Sequence, residues 1–267
     1  MIGAIIGDIL GSSFERRNTK LENFPLFPPR TSFTDDSVLT IATAYAILNQ
    51  KPYRETYQDF YKRYPRAGYG GRFQKWARLQ HAKPYNSYGN GSAMRVSPIA
   101  FAFETEDEVL LHAKQSAEVS HNHLEGIKGA QAIALCIFYA RQKQTKSFIQ
   151  SEIEQRFSYS LQRSIDEIRK TYSFDVSCQG SVPEAIISFL EGNDFESTIR
   201  KAISIGGDSD TIACMAGGIA ACYYGSIPES ILKKGISYLD PFLKKTTQQF
   251  AETYPLLTEN DRLLSYL

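Results

Sequence analysis

Gly206-Gly-Asp-Ser-Asp-Thr211 lies between two apolar runs. Ile199, Ala202, Ile203 and Ile205 precede it, and Ile212 to Tyr224, almost all small or apolar, follows it. Carboxylates that enter so apolar a segment need a partner, because a buried unpaired charge is costly. The glycine pair predicts the end of one helix, and Asp208 is placed to cap the next. Oxygen donors at Asp208, Asp210 and Thr211 then face one side of that helix start. Carboxylates with a hydroxyl are what a hard cation such as Mg²⁺ takes. On the hexapeptide alone, a plain N-cap with a polar first turn is the alternative.

The helix after the hexapeptide carries Ala213, Ala216, Gly217, Ala220 and Ala221. Such small residues predict a central helix with others packed closely around it. Residues 2–12 read as a buried helix in which Gly3, Gly7 and Gly11 line one face. Asp8 interrupts that apolar run and is expected to accept hydrogen bonds from neighbouring backbone or hydroxyls. Glu15 follows the helix end. Residues 16–33, with Pro25, Pro28 and Pro29, read as a long loop of the kind that often serves as a lid. Phe33-Thr34-Asp35-Asp36-Ser37 then opens a second apolar helix, Val38 to Leu48. The helix dipole accounts for some acid at each start. Two such clusters together supply oxygens for a pair of divalent ions, as in two-metal hydrolytic sites.

The remaining segments are helical or turn-forming. Residues 51–88 interleave nine basic residues with Tyr57, Tyr61, Tyr64, Tyr69 and Trp76. The favoured reading is a pair of amphipathic helices with solvated basic faces, and nucleic-acid binding by stacking is the alternative. Pro65 to Gly71 is a turn whose N–H groups could reach a phosphate. Gly89-Asn-Gly91 precedes an expected helix, Ala93 to Phe103, whose start offers an anion site. Thr105 to Glu108 is a capping box. Ser120-His-Asn-His123 stands between helices, with His121 favoured as a polar ligand contact and His123 as structural. Phe174 to Gln179 is irregular. Ser181 to Glu191 and Asp194 to Ile205 are capped amphipathic helices, and Pro228 to Leu267 holds two or three peripheral ones. Helical spacing recurs almost throughout, so the chain is expected to be all-α, one compact domain over residues 1–267.

The 267 residues suffice for a full core, and no linker, repeat or low-complexity tract divides them. A net charge of +1 points to neither nucleic acid nor membrane. Cys136, Cys214 and Cys222 sit in apolar helical pattern and Cys178 apart from them, without a Cys-x-x-Cys. They read as thiols of a reducing compartment. The opening residues lack the basic start of a signal peptide, and no apolar run reaches a membrane span. A soluble, cytoplasmic protein is expected, and nothing requires more than a monomer.

Taken together, the blocks Gly3-Ala-Ile-Ile-Gly-Asp-Ile-Leu-Gly…Glu15, Thr34-Asp-Asp36, Gly68-Tyr-Gly70, Ser87-Tyr-Gly-Asn-Gly-Ser-Ala-Met-Arg95, His121 and Gly206–Thr211 resemble the ADP-ribosylglycohydrolase family. They occur in the family's order over residues 1 to about 225. The resemblance implies an all-α domain with a binuclear Mg²⁺ centre, with Mn²⁺ as a variant. By position it makes Thr34, Asp35, Asp36, Asp208, Asp210 and Thr211 the metal ligands. Gly68, Gly70, Ser87, Tyr88, Gly89, Asn90 and His121 would contact substrate. Asp36 or Asp35 would hold or deprotonate the attacking water, with Glu15 as the alternative acid or base.

The implied activity is hydrolysis of the glycosidic bond between ADP-ribose and an acceptor side chain, arginine favoured over serine. ADP-ribose would be the product and an ADP-ribosylated protein the partner. The alternatives are a non-catalytic ADP-ribose binder and a hydrolase of another conjugate, such as O-acetyl-ADP-ribose or ADP-ribosylated nucleic acid. Phosphodiester rather than glycosidic cleavage at the same metal pair is a further rival. The loop from Arg16 to Arg30 and the tail after Gly225 match no family block, so acceptor specificity is expected there.

Overall fold

The backbones of two helices touch along a face without side chains. These are α1 (Ile2–Gly11) and α12 (Ser209–Tyr224), whose mutual contact is the most extensive in the molecule. A Cβ added at Gly7 would lie 2.1 Å from the Ala213 carbonyl oxygen, and one at Gly11 would lie 2.5 Å from the Asp210 Cα. Gly3 meets Gly217 and Ala221 in the same way. The helices therefore run antiparallel, and the C-terminal end of α1 lies against the N-terminal end of α12.

The computed structural model describes residues 1–255, and among these the regular structure is helical. Between the central pair come α2 (Asp35–Leu48), α3 (Tyr53–Arg63), α4 (Gly71–Ala77), α5 (Ile99–Ala102), α6 (Glu106–Glu118), α7 (Leu124–Arg141), α8 (Lys146–Phe157), α9 (Ile165–Thr171), α10 (Cys178–Glu191) and α11 (Phe195–Ser204). After α12 follow α13 (Glu229–Ile236) and α14 (Pro241–Thr253). The last part of the expected helical tail, residues 256–267, lies outside the described residues. Helices α2, α7, α10 and α11 all pack on α12, around one continuous apolar core. All four cysteines are free and buried in it. No helix among the described residues is long and apolar enough to cross a membrane.

Several expectations hold in detail. Thr105 and Glu108 form the reciprocal capping box of α6, and His123 caps α7 by accepting from the Glu125 N–H at 3.1 Å. Residues 51–88 contain the two short helices α3 and α4, and Tyr57, Tyr61, Tyr69 and Trp76 are core residues rather than a stacking surface.

Others are corrected. The expected helix Ala93 to Phe103 is broken: a 3₁₀ turn, Asn90–Ser92, is followed by the single turn of α5. Residues 93–98 between them are turn and coil, and Pro98, which lacks an N–H to bond back to Met94, caps α5 instead of continuing a helix from 93. Helix α10 begins at Cys178 rather than Ser181, with the Ser177 hydroxyl accepting from the Gly180 N–H at 3.1 Å. The 16–33 segment is a loop as expected, and it is strapped to the body. Lys20 Nζ donates to the carbonyls of Ile205 (2.5 Å) and Tyr172 (3.0 Å), and Arg200 Nη1 donates to those of Glu22 and Phe24, each at 2.9 Å.

The central contact predicts a sign reversal. Glycine to alanine in a helix ordinarily stabilises by roughly 0.5–1 kcal/mol. Gly7→Ala must instead force α1 off α12, with an expected loss of about 1–3 kcal/mol or more, read as a lowered denaturation midpoint. Gly71→Ala, in the first turn of α4 and with nothing within 4 Å of its added Cβ, is the control and should be neutral to slightly stabilising.

Candidate active site

Three helix ends converge where α1 finishes. Asp8, fully buried on α1, accepts at Oδ2 from the backbone N–H groups of Thr34 (2.9 Å) and Ser37 (3.0 Å) and from the Ser37 hydroxyl. Its Oδ1 accepts from Thr34 Oγ1 at 2.6 Å. Asp8 thus ties α1 to the N-terminus of α2, which places Asp35 and Asp36 in that helix's first turn.

On the other side, Gly206 and Gly207 adopt consecutive left-handed conformations, φ 78° and 74°. This turn is what swings the chain from α11 into α12, and only glycine takes it without strain. A Cβ at Gly207 would also lie 2.6 Å from the Tyr172 ring. The Asn18 side chain grips Gly207 from outside, accepting from its N–H (2.8 Å) and donating to its carbonyl (3.0 Å). Asp208 occupies the N-cap position of α12, but its side chain does not cap. It accepts instead from Asn90 Nδ2 at 2.7 Å, across the cleft.

One oxygen from each of Asp8, Asp36 and Asp210 lies within 4.8 Å of the others. Asp36 Oδ2 accepts from the hydroxyl of Thr211 at 3.3 Å, while Asp36 Oδ1 is buried without a hydrogen-bond partner. A crowded, buried, under-satisfied set of carboxylate oxygens with adjacent hydroxyls fits a hard divalent cation. Asp8 was expected only as a hydrogen-bond acceptor. It fills that role and joins the cluster as well.

The cluster forms one part of a cleft of about 420 Å³. Thr34, Asp35, Asp36, Asp208, Asp210 and Thr211 line it, and so does Glu15. Gly68, Gly70, Ser87, Gly89, Asn90 and His121 line the remainder. The exception is Tyr88, whose side chain is 49 % exposed and meets the His123 ring edge-on at 5.5 Å. Residues 87–89 are extended, and Gly89 bridges to Ser177. Alternate side chains of an extended segment point to opposite faces, so Ser87 faces the cleft and Tyr88 faces away. The same alternation brings Phe174 and Val176, read as irregular chain, to the cleft wall. Two N–H groups of the Gly89-Asn90 turn are used internally, by Ser87 Oγ (3.1 Å) and the Val176 carbonyl (2.8 Å), and do not await an anion.

A sequence profile of the ADP-ribosylglycohydrolase family matches residues 1–261. The chain belongs to this family. It is 30% identical over 312 aligned positions to ADP-ribosylhydrolase ARH3 of Homo sapiens, covering 86% of each chain. To the Mus musculus protein of the same name it is 28% identical, covering 86% of this chain and 84% of the other. A solved structure described as an ADP-ribosylglycohydrolase-related protein complex shares the fold at a TM-score of 0.73 and 24% identity, covering 96% of both chains. As a member of the ADP-ribosylglycohydrolase family, the chain is a glycosyl-bond hydrolase acting on ADP-ribose conjugates.

The electrostatics of this glycohydrolase's site are those of mutual repulsion. Burial, and then the charges of Asp8 and Asp208, push the Asp35 carboxyl well up from its usual range. Asp36 rises through burial and then Asp8, Asp35 and Asp208, and Asp210 through burial and then Asp208 and Asp36. Burial lifts Asp8 to about 6 despite its hydrogen bonds from Ser37 and Thr34. Burial also raises Asp208, against the lowering effect of Asn90.

An acid whose folded pKa exceeds its unfolded value binds more protons when folded. Its contribution to stability is complete below the unfolded pKa and is lost as pH rises through the folded one. For Asp8 that window runs from 3.8 to about 6, and the other raised carboxylates extend it upward. A cation that binds the ionised set offsets this loss. The rise in Tm produced by adding Mg²⁺ to chelator-treated protein should therefore grow as pH rises from about 4 through about 6 and above. A rise independent of pH, or none, would show that these carboxylates hold no cation.

Proposed function

We propose that the enzyme cleaves the bond between the distal ribose of ADP-ribose and a modified acceptor, with two divalent cations at the aspartate cluster. The reading is supported by one feature above all: a single cleft joins a buried carboxylate cluster to a wall of small and polar residues from 68–70, 87–90 and His121. An elongated ligand with a polyhydroxyl end and an anionic middle matches that pairing. Thr34, Asp35, Asp36, Asp208, Asp210 and Thr211 would hold the cations, with Asp8 added to the set. Mg²⁺ is the favoured ion and Mn²⁺ the variant. When bound, such a pair supplies charge stabilisation and orients the ribose hydroxyls.

The chain's own groups do the remaining work. Glycoside hydrolysis needs an activated water, protonation of the leaving group and support for oxocarbenium-like charge. Asp36 or Asp35 holds the water or takes its proton. Glu15, half-buried on the cleft wall, is the alternative acid or base. Asn90 orients Asp208 through its 2.7 Å hydrogen bond. Phe174 and Val176, both about half exposed at the cleft, would exclude water on the side away from the cluster. Arginine keeps first place over serine as acceptor because Glu15 offers a carboxylate to a guanidinium. The free, buried thiols accord with a reducing, cytoplasmic setting.

The test is a mass-spectrometric release assay on arginine- and serine-ADP-ribosylated peptides, with Mg²⁺ or chelator. Metal-dependent release of intact ADP-ribose is the expected result, and the peptide that reacts names the acceptor. Release of AMP instead would establish phosphodiester cleavage. Asp208→Asn should lower turnover by roughly 100- to 1,000-fold, the loss typical of a removed electrostatic stabiliser. Near-normal turnover in that variant would remove Asp208 from the site.

A further inference from the structure

Arg95 is fully buried and forms no ion pair with a carboxylate among the described residues. Its guanidinium carbon lies 4.3 Å from the centroid of the Tyr57 ring. Its Nη2 donates to the Ser116 carbonyl (2.7 Å) and to Ser120 Oγ (3.0 Å), while Nε and Nη1 have no partner. Ser120 Oγ, itself buried, lies 2.8 Å from His121 Nδ1. The opposite ring nitrogen, Nε2, has no protein partner among the described residues. It sits beside the cleft backbone, 3.1 Å from where a Cβ on Gly91 would be and 3.6 Å from one on Gly89.

The proton positions follow from what each group has left to give. Arginine can only donate, so Ser120 Oγ accepts from it. The serine proton then needs an acceptor, and His121 Nδ1 is the one in reach. With a proton on Nδ1, the hydroxyl would face two donors and its own hydrogen would be stranded. A stranded buried donor is costly. Protonating both ring nitrogens would set a second buried cation beside Arg95, with Arg72 also near. Burial, then Arg95 and Arg72, already hold the His121 imidazolium well below its usual range.

We infer that Arg95 and Ser120 act as positioning residues that fix His121 as the neutral tautomer with its proton on Nε2, making the ring a hydrogen-bond donor into the cleft. A donor at that point selects an acceptor-only oxygen, such as that of a diphosphate. This deepens the proposed reading of the cleft as an ADP-ribose site and rests on it for the identity of the acceptor. Ser120 and Arg95 do not touch the ligand themselves.

The test separates the two levels. Two-bond proton–nitrogen correlation spectra of ligand-free protein with isotope-labelled histidine report the tautomer of each of the four histidines. His121 is assigned by His121→Asn. The expected wild-type spectrum shows the proton on Nε2. Ser120→Ala should give a mixture of tautomers and weaken ADP-ribose binding in calorimetry about five- to tenfold, the worth of one well-placed hydrogen bond. Ser120→Thr, which keeps the hydroxyl, should restore both. A proton on Nδ1, or an imidazolium at neutral pH, overturns the inference from the wild-type spectrum alone. An unchanged tautomer and affinity in Ser120→Ala overturns it equally. Protein that binds no ADP-ribose would sink the reading of the cleft, while the spectra would still decide the tautomer.

Discussion

Everything at the site depends on two backbones touching. Because α1 has no side chain on one face, its last turn reaches the first turn of α12, and an aspartate from each enters one small volume. Side chains at Gly3, Gly7 and Gly11 would set the helices at the ordinary spacing of 8–10 Å. The carboxylate oxygens of Asp8 and Asp210 could not then share a cation. The glycines are thus part of the chemistry although none of them reacts.

The cluster so formed works against the fold. Five aspartates with raised carboxyl pKa values, held with little solvent, repel one another. The protein offsets part of this locally. Two helix N-termini, those of α2 and α12, point their N–H groups at the cluster. Asp8 takes four hydrogen bonds from Thr34 and Ser37, and Asp208 takes one from Asn90. What is left over is the unpartnered Asp36 oxygen, and this residue of unmet charge is what gives the site its appetite for a cation. A cluster fully satisfied by protein groups would bind metal weakly.

Most of this arrangement was legible in the residues because it rests on local signals. Glycine at every fourth position marks a helix face, and acid with hydroxyl at the head of an apolar helix marks a buried charged start. Asp8 was legible as buried and hydrogen-bonded, since it stands alone in an apolar run. That it points at Asp36 and Asp210 was not, because a helix position fixes a face and not the neighbour across it. Tyr88 was misplaced for a related reason: a motif read as a block ignores the alternation of an extended segment, which turns Ser87 in and Tyr88 out. The same alternation hid Phe174 and Val176. The helix expected over 93–103 gave too little weight to Pro98. Ser120 and His121 are neighbours in sequence, but Arg95 joins them only through tertiary packing, and no spacing announces that link.

The partners in the central contact are made at very different times. Helix α1 is apolar on nearly every side, yet the surface it needs, on α12, is synthesised only after most of the chain. Until then α1 has no glycine-matched groove to occupy, and closing so long a loop is entropically unfavourable. The active site therefore cannot assemble outward from the growing end. Docking α1 onto α12 must wait until α12 exists, because α1 precedes it in the chain. Contacts this distant in sequence slow folding and prolong the exposure of apolar surface. The closeness that makes the site possible carries a kinetic burden for the nascent polypeptide.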